Sequence, residues 1–188
     1  MQLLDDRSEK GWHRMVLTAL RSGLRLGELL GLQWSDIDFT SNTLTVQRSW
    51  VRREMSTTKS QRIRHVPLTR DLRETLDDAR RAEGLIFPND GGEPWNPDAA
   101  ARALRRMCTR ANVRPIGWHI LRHTFASHLA IKGVSLRVIQ DLLGHSTIAM
   151  TERYAHLTSS SLHDAVRVLE PPLDVHGHPV GNTAISWV

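Results

Sequence analysis

The stretch WHILRHTFASHLAIKGVSLRVIQDLLGHSTIAMTERYAHL, residues 118–157, decides how this chain is read. Its apolar residues recur at helical spacing and the pattern is interrupted by two glycines. The spacing predicts helices over 118–132, 135–144 and 147–155, with Gly133 separating the first two and Gly144 ending the second. Within this stretch stands Tyr154, the only tyrosine of the 188 residues, nine positions after His145. His119 and Arg122 lie on the first of these helices, and far upstream Arg25 stands in SGLRLGELLGL, residues 22–32. A phenolic oxygen can attack phosphorus, and guanidinium forks match phosphate oxygens at two points. One phenol behind two histidines and two arginines therefore points to phosphodiester chemistry on nucleic acid.

The charge pattern suits such a partner. The formal net charge is only +5, but residues 99–157 hold nine Lys/Arg against Asp141 and Glu152, and Gln47–Val66 holds six against Glu54 alone. Asymmetry of this kind fits a surface that grips a polyanion. A lone cysteine, Cys108, can form no internal disulfide, which favours a reducing compartment. No run of about 18 apolar residues argues for a membrane span. The N-terminal MQLLDDRSEK is charged where a secretory signal would be apolar, so a cytoplasmic, nucleoid-associated protein is expected.

Outward from the decisive stretch, the chain predicts an α+β fold, mainly helical, with a small antiparallel sheet. Trp12, Met15, Val16, Ala19 and Leu20 share one helical face, and a second short helix begins near Arg25 and is capped by Gly31. Residues 43–51 alternate and are β-branched, and Ile63–Val66 follows as a second strand, with Lys59 near the hairpin turn between them. Thr69 starts a helix running to about Glu83, and Asn96-Pro97 starts another running to about Ala111. A last helix is expected over 160–169, before Pro171-Pro172 stops regular structure.

The same residues allow two rival readings. His119 and His123 have zinc-compatible spacing, with His128 and His145 as imaginable further ligands, but the chain lacks an HExxH glutamate and any thiolate pair. Residues 118–145 also look like a helix–turn–helix, as a non-catalytic DNA-binding regulator would show. Such a regulator would not need Arg25 or Tyr154 at their places.

The residues resemble the catalytic domain of the tyrosine recombinases, the phage-integrase and Xer-type site-specific recombinases. The resemblance rests on Arg25 in SGLRLGELLGL, Lys59 seven residues before Val66, His119 and Arg122 in HILRH, His145 in LGH, and Tyr154, and it spans roughly residues 10–170. It implies a tyrosine recombinase catalytic-domain fold and a set of roles. Tyr154 would be the nucleophile, His119 its general base, Arg25, Arg122 and His145 donors to the phosphate, and Lys59 the acid for the departing 5′-oxygen. Phenolate at pH 7 costs about 4 kcal/mol unless a base shares the proton, and each preorganised donor is commonly worth about 3–4 kcal/mol. Glu28, one helical turn after Arg25, is expected to orient it. Arg62 and Arg64 are expected to contact DNA.

By the same resemblance the product is a 3′-phosphotyrosine link, formed with no metal, cofactor or ATP. The partners implied are double-stranded DNA and further copies of the chain, as a tetramer on paired sites and a monomer when free, with no membrane. A type IB topoisomerase shares this chemistry and is the nearer enzymatic alternative. The family's preceding DNA-clamping helical module is expected to be absent from this chain, leaving a catalytic domain over 1–172 and a flexible tail over 173–188. The helix at 160–169 is expected to dock on a neighbouring protomer.

Overall fold

The computed structural model describes residues 10–51, 54–57 and 63–157. Lys59, Arg62, the hairpin turn, the helix expected over 160–169 and the tail lie outside the described residues. Helix α1 (Lys10–Ser22) is followed by the short α2 (Leu26–Leu30) and a 3-10 turn (Trp34–Asp36). Strands β1 (Ile37–Asp38), β2 (Thr43–Val46), β3 (Arg48–Val51), β4 (Glu54–Thr57) and β5 (Arg64–Pro67) come next. Helices α3 (Arg70–Asp77), α4 (Pro97–Arg110), α5 (Trp118–Ile131), α6 (Leu136–Leu143) and α7 (Ala149–Glu152) complete the order, ending in a 3-10 turn at Ala155–Leu157. None of the described helices is long and apolar enough to cross a membrane.

The expected strand over 43–51 divides at Gln47. Its first half, β2, is the centre of an antiparallel sheet ordered β1-β2-β5, with Leu44 opposite Val66. Its second half, β3, pairs instead with β4, with Trp50 opposite Met55. Alternation alone could not show this, because both halves keep the period of two while changing partners. Two other boundaries also differ. Helix α3 stops at Asp77 rather than near Glu83, and the helix expected over 147–155 is one α-turn followed by a 3-10 turn.

The main core joins α1, the sheet, α4 and the start of α5, through Met15, Leu30, Leu44, Val66, Leu72, Leu104 and Leu121, all at most 2% exposed. A second cluster holds Ala126 and Ala130 of α5, Ile139 and Leu143 of α6, and Tyr154. Helix α4 starts as its sequence demands, with the Asn96 side chain accepting from the Asp98 N–H at 2.8 Å and Pro97 in the first turn.

Two glycines set the approach of elements that carry the site. A Cβ on Gly27 would lie 2.5 Å from Ser49 Oγ and 2.8 Å from the Trp50 carbonyl oxygen, so only glycine lets α2 rest directly on β3. Gly144 has φ +64° and ψ 44°, the left-handed turn that closes α6 and points the chain toward His145. Gly31 does follow α2 as expected, though with φ −95° it does not use the left-handed region.

Candidate active site

Arg25 occupies the N-cap position of α2, where a side-chain acceptor is normally found. Its own side chain cannot accept, and Glu28 does the capping instead, taking the Arg25 backbone N–H at 2.8 Å through Oε2. Glu28 Oε1 also accepts from Arg25 Nη1 at 2.9 Å, which ties the guanidinium to the start of its helix. The expected pairing of Glu28 with Arg25 is thus present.

Glu28 holds a second cation as well. Arg64, reaching in from β5, donates from Nη1 to Oε1 at 3.0 Å and from Nη2 to Oε2 at 2.7 Å, a two-point fork. Its Nε donates to the Leu142 carbonyl at 2.9 Å. Arg64 is 7% exposed, so the expectation that it belongs to a DNA-contacting surface is corrected by its place: the side chain is drawn inward by a buried carboxylate. Burial pushes the Glu28 carboxyl up, but the hydrogen bonds and charges of Arg64 and Arg25 outweigh it and hold the group below its ordinary value.

Arg122 sits on α5 with its fork on two backbone carbonyls, Nη1 to Gly23 O and Nη2 to Leu143 O, both at 2.6 Å. These are the ends of α1 and α6, so one guanidinium joins three helices around the site. Burial, then the nearby charge of Arg25, lowers its pKa to about 9, which leaves it a cation at neutral pH.

Tyr154 is 4% exposed, with its ring in the α5–α6 cluster and its hydroxyl 2.5 Å from His123 Nδ1. Burial raises the phenol's pKa, against the opposing charges of Arg153 and Arg122, so the resting hydroxyl is protonated. In the sequence His123 stands out only as a zinc-spaced partner of His119. The signal for its contact was present, since it lies one turn from His119 on the same helix, but nothing local shows that Tyr154 returns to it.

His145 follows Gly144, and its Nδ1 lies 2.8 Å from the Thr151 hydroxyl. With that hydroxyl donating to Nδ1, the proton of a neutral ring sits on Nε2, leaving an N–H donor for an anion. The Thr151 carbonyl meanwhile accepts from the Tyr154 N–H at 3.0 Å, so one fully buried threonine links the His145 side chain to the backbone that carries Tyr154. Sequence reading missed Thr151, which looks like any small residue inside a helical turn.

These side chains converge on one cleft of about 270 Å³, lined by Arg25, His119, Arg122, His123, His145, Met150, Arg153 and Tyr154. A larger cleft of about 730 Å³ lies elsewhere, beside Trp12, Trp34 and Trp95, and contains none of the candidate site residues. Among the described residues, only the smaller one brings a phenol, imidazoles and guanidinium groups into one space. Its cations are set to receive an anion, and its imidazoles stand beside the group that would attack it.

The acid response of this cleft is a direct test of its geometry. Burial first, then the charges of Arg122, Arg25, Arg153 and Arg64, pull the pKa of His145 from its ordinary 6.5 to about 4. The unfolded chain binds a proton below about 6.5 that the folded chain refuses until about 4, so folding stability drains away as pH falls through that window. The expected result is a melting temperature that is level from pH 8 to 7 and declines from pH 6.5 to 4. The decline should be smaller in His145→Asn, as followed by circular dichroism. An equal decline in both proteins would show that His145 is not held neutral.

The chain is similar to known proteins in sequence and in fold. A model of the phage integrase family matches residues 1–161. The chain is 31% identical over 163 residues to tyrosine recombinase XerC of Pediococcus pentosaceus, covering 80% of this chain and 51% of that protein. It is 35% identical over 153 residues to a tyrosine recombinase of Pseudothermotoga lettingae, covering 78% and 50%. The chain spans about half the length of the curated relatives it matches. Among solved structures, the catalytic domain of bacteriophage HP1 integrase is similar with a TM-score of 0.63 at 32% identity, over 82% of this chain and 80% of that one. The Tn1549 transposon integrase in complex with a circular intermediate DNA shares the fold with a TM-score of 0.75 at 21% identity, over 89% and 62%.

Proposed function

The chain belongs to the phage integrase family, the tyrosine recombinases, and from that premise we propose that it cuts and rejoins double-stranded DNA at specific sites through a 3′-phosphotyrosine intermediate. The observation that carries this reading is the single cleft in which Arg25, Arg122 and His145 surround the approach to the Tyr154 phenol. A scissile phosphate placed there would meet two guanidinium groups and one imidazole N–H. These donors oppose the charge that gathers on the non-bridging oxygens as a fifth oxygen arrives.

The Tyr154 oxygen bonds to phosphorus, and the bond from phosphorus to the 5′-oxygen breaks. The leaving oxygen takes a proton from Lys59, the cation assigned by the family resemblance. The phenolic proton passes to an imidazole, and α5 carries two at the cleft, His119 and His123. The bond energy kept in the phosphotyrosine ester lets a second 5′-hydroxyl attack and reseal the strand, so neither ATP nor a metal ion enters the cycle. Glu28 fixes Arg25 from behind, with Arg64 as the buried counter-cation that holds Glu28 in place. Double-stranded DNA is the proposed partner, in line with the DNA complex of the Tn1549 integrase. The proposed working assembly is a tetramer on paired sites formed from free monomers.

The test is covalent trapping. Incubated with a library of nicked duplexes in excess EDTA, the chain is expected to form a protein–DNA adduct that survives denaturant. The nick releases the short 5′-hydroxyl strand and prevents resealing. Loss of the adduct in chelator, restored by magnesium or zinc, would overturn the metal-free mechanism.

A further inference from the structure

We propose that His123, rather than His119, takes the phenolic proton of Tyr154 during strand cleavage. This rests on the phosphotyrosine reading above and specifies one step of it. The ground is the direct contact: the Tyr154 hydroxyl and His123 Nδ1 are 2.5 Å apart, within reach for proton transfer without rearrangement. The rings of His123 and His119 stand edge to face with centroids 6.0 Å apart. Among the described residues, the phenol's hydrogen-bond partner is His123.

The contact is built by packing. His123 lies on α5, and Tyr154 follows α7 with its ring set against Ala126 and Ala130, the next inward positions of α5. Sliding the phenol away from His123 would require opening that cluster. The surroundings also keep the acceptor ready. Burial, then the charges of Arg153, His119 and Arg122, hold the imidazole's pKa below its ordinary value, so it is neutral and able to accept at pH 7. Arg25 and His145 complete the wall of the cleft facing it.

The step balances. The hydroxyl hydrogen moves from Tyr154 to His123 Nδ1 as the phenolic oxygen bonds to phosphorus. The bond to the 5′-oxygen breaks, and that oxygen collects a different proton from the acid side of the site. His123 then carries a positive charge among cations, which favours returning the proton to the phenol when the ester is resealed. His119, without the phenol, is left to donate to the phosphate.

Single-turnover adduct formation on a nicked duplex between pH 6 and 9.5 tests the assignment, using His123→Ala, His123→Asn and His119→Gln. Asparagine can accept the phenol's hydrogen bond but cannot carry its proton away. Both His123 variants are expected to be slower by about 100-fold or more near pH 7. Their deficit should shrink about tenfold per pH unit on the alkaline side, as phenolate forms unaided. His119→Gln should lower the rate by a factor that does not change with pH. Nitrogen-15 spectra of the intact chain give a readout free of cleavage: an unprotonated, hydrogen-bonded His123 Nδ1 that shifts in Tyr154→Phe. Wild-type speed in His123→Asn, or an alkali-rescued deficit in His119→Gln instead, would overturn the proposal alone. Absence of any adduct from the wild-type chain would overturn the phosphotyrosine reading, and the proposal with it. Melting temperature and DNA retention identify a variant that merely misfolds, and the asparagine variant, whose side-chain oxygen can still accept from the phenol, remains informative if the alanine variant misfolds.

Discussion

Replacing Tyr154 by phenylalanine is expected to abolish the denaturant-stable DNA adduct while leaving DNA binding within a few-fold of wild type. The substitution removes one oxygen and retains the ring, so packing against Ala126, Ala130, Ile139 and Leu143 is kept. What is lost inside the protein is one hydrogen bond to His123, a cost of about 1 kcal/mol in stability. On the proposed mechanism the chemical loss is total, because no other tyrosine exists in the sequence to replace Tyr154 as nucleophile. Denaturing gels read the adduct and fluorescence anisotropy reads binding. An adduct formed by the phenylalanine variant at the wild-type rate would show that another group attacks.

Glu28→Gln should be the most damaging change in the site that touches neither phenol nor phosphate. Glutamine matches the carboxylate in shape, so no cavity opens, yet its amide brings N–H groups toward two guanidinium groups that need acceptors. Glu28 is 2% exposed and accepts from the Arg25 backbone, from Arg25 Nη1, and twice from Arg64. Breaking a buried ion pair by neutralising one partner typically costs about 3–5 kcal/mol, since the other charge stays buried without compensation. Urea unfolding should show a loss of that order, and adduct formation should fall by at least two orders of magnitude as Arg25 loses its anchor. Adding Arg64→Met to Glu28→Gln separates the two roles. Removing the uncompensated cation should recover part of the stability, whereas cleavage should stay low because Arg25 is still unfixed. Recovery of both would mean that Glu28 acts only through stability.

Several residues that line the cleft are legible in the sequence. Arg25, His119, Arg122, His145 and Tyr154 were selected as a set, and all five line one cleft. Lys59 and Arg62 fall outside the described residues, so the structure adds nothing about them. The pairing of Glu28 with Arg25 was legible because residues three apart on a helix are neighbours whatever the rest of the chain does. Arg64 was misread because a basic residue in a basic stretch looks solvated, and the carboxylate that draws it inward lies 36 positions away.

The sequence by itself determined the helical class, the glycine stops and which phenol, imidazole and guanidinium groups the chain has to bring together. Helical periodicity, left-handed turns and the chemistry of a phenol or guanidinium are local properties, carried by a residue and its near neighbours. Only the tertiary structure decided that β2 and β3 part at Gln47, that Arg122 grips the carbonyls of Gly23 and Leu143, that Thr151 holds His145, and that the Tyr154 hydroxyl rests on His123. The physical reason is the same in each case. A buried polar group must find a partner, and an apolar pattern says which face turns inward without saying which distant donor or acceptor will meet it there.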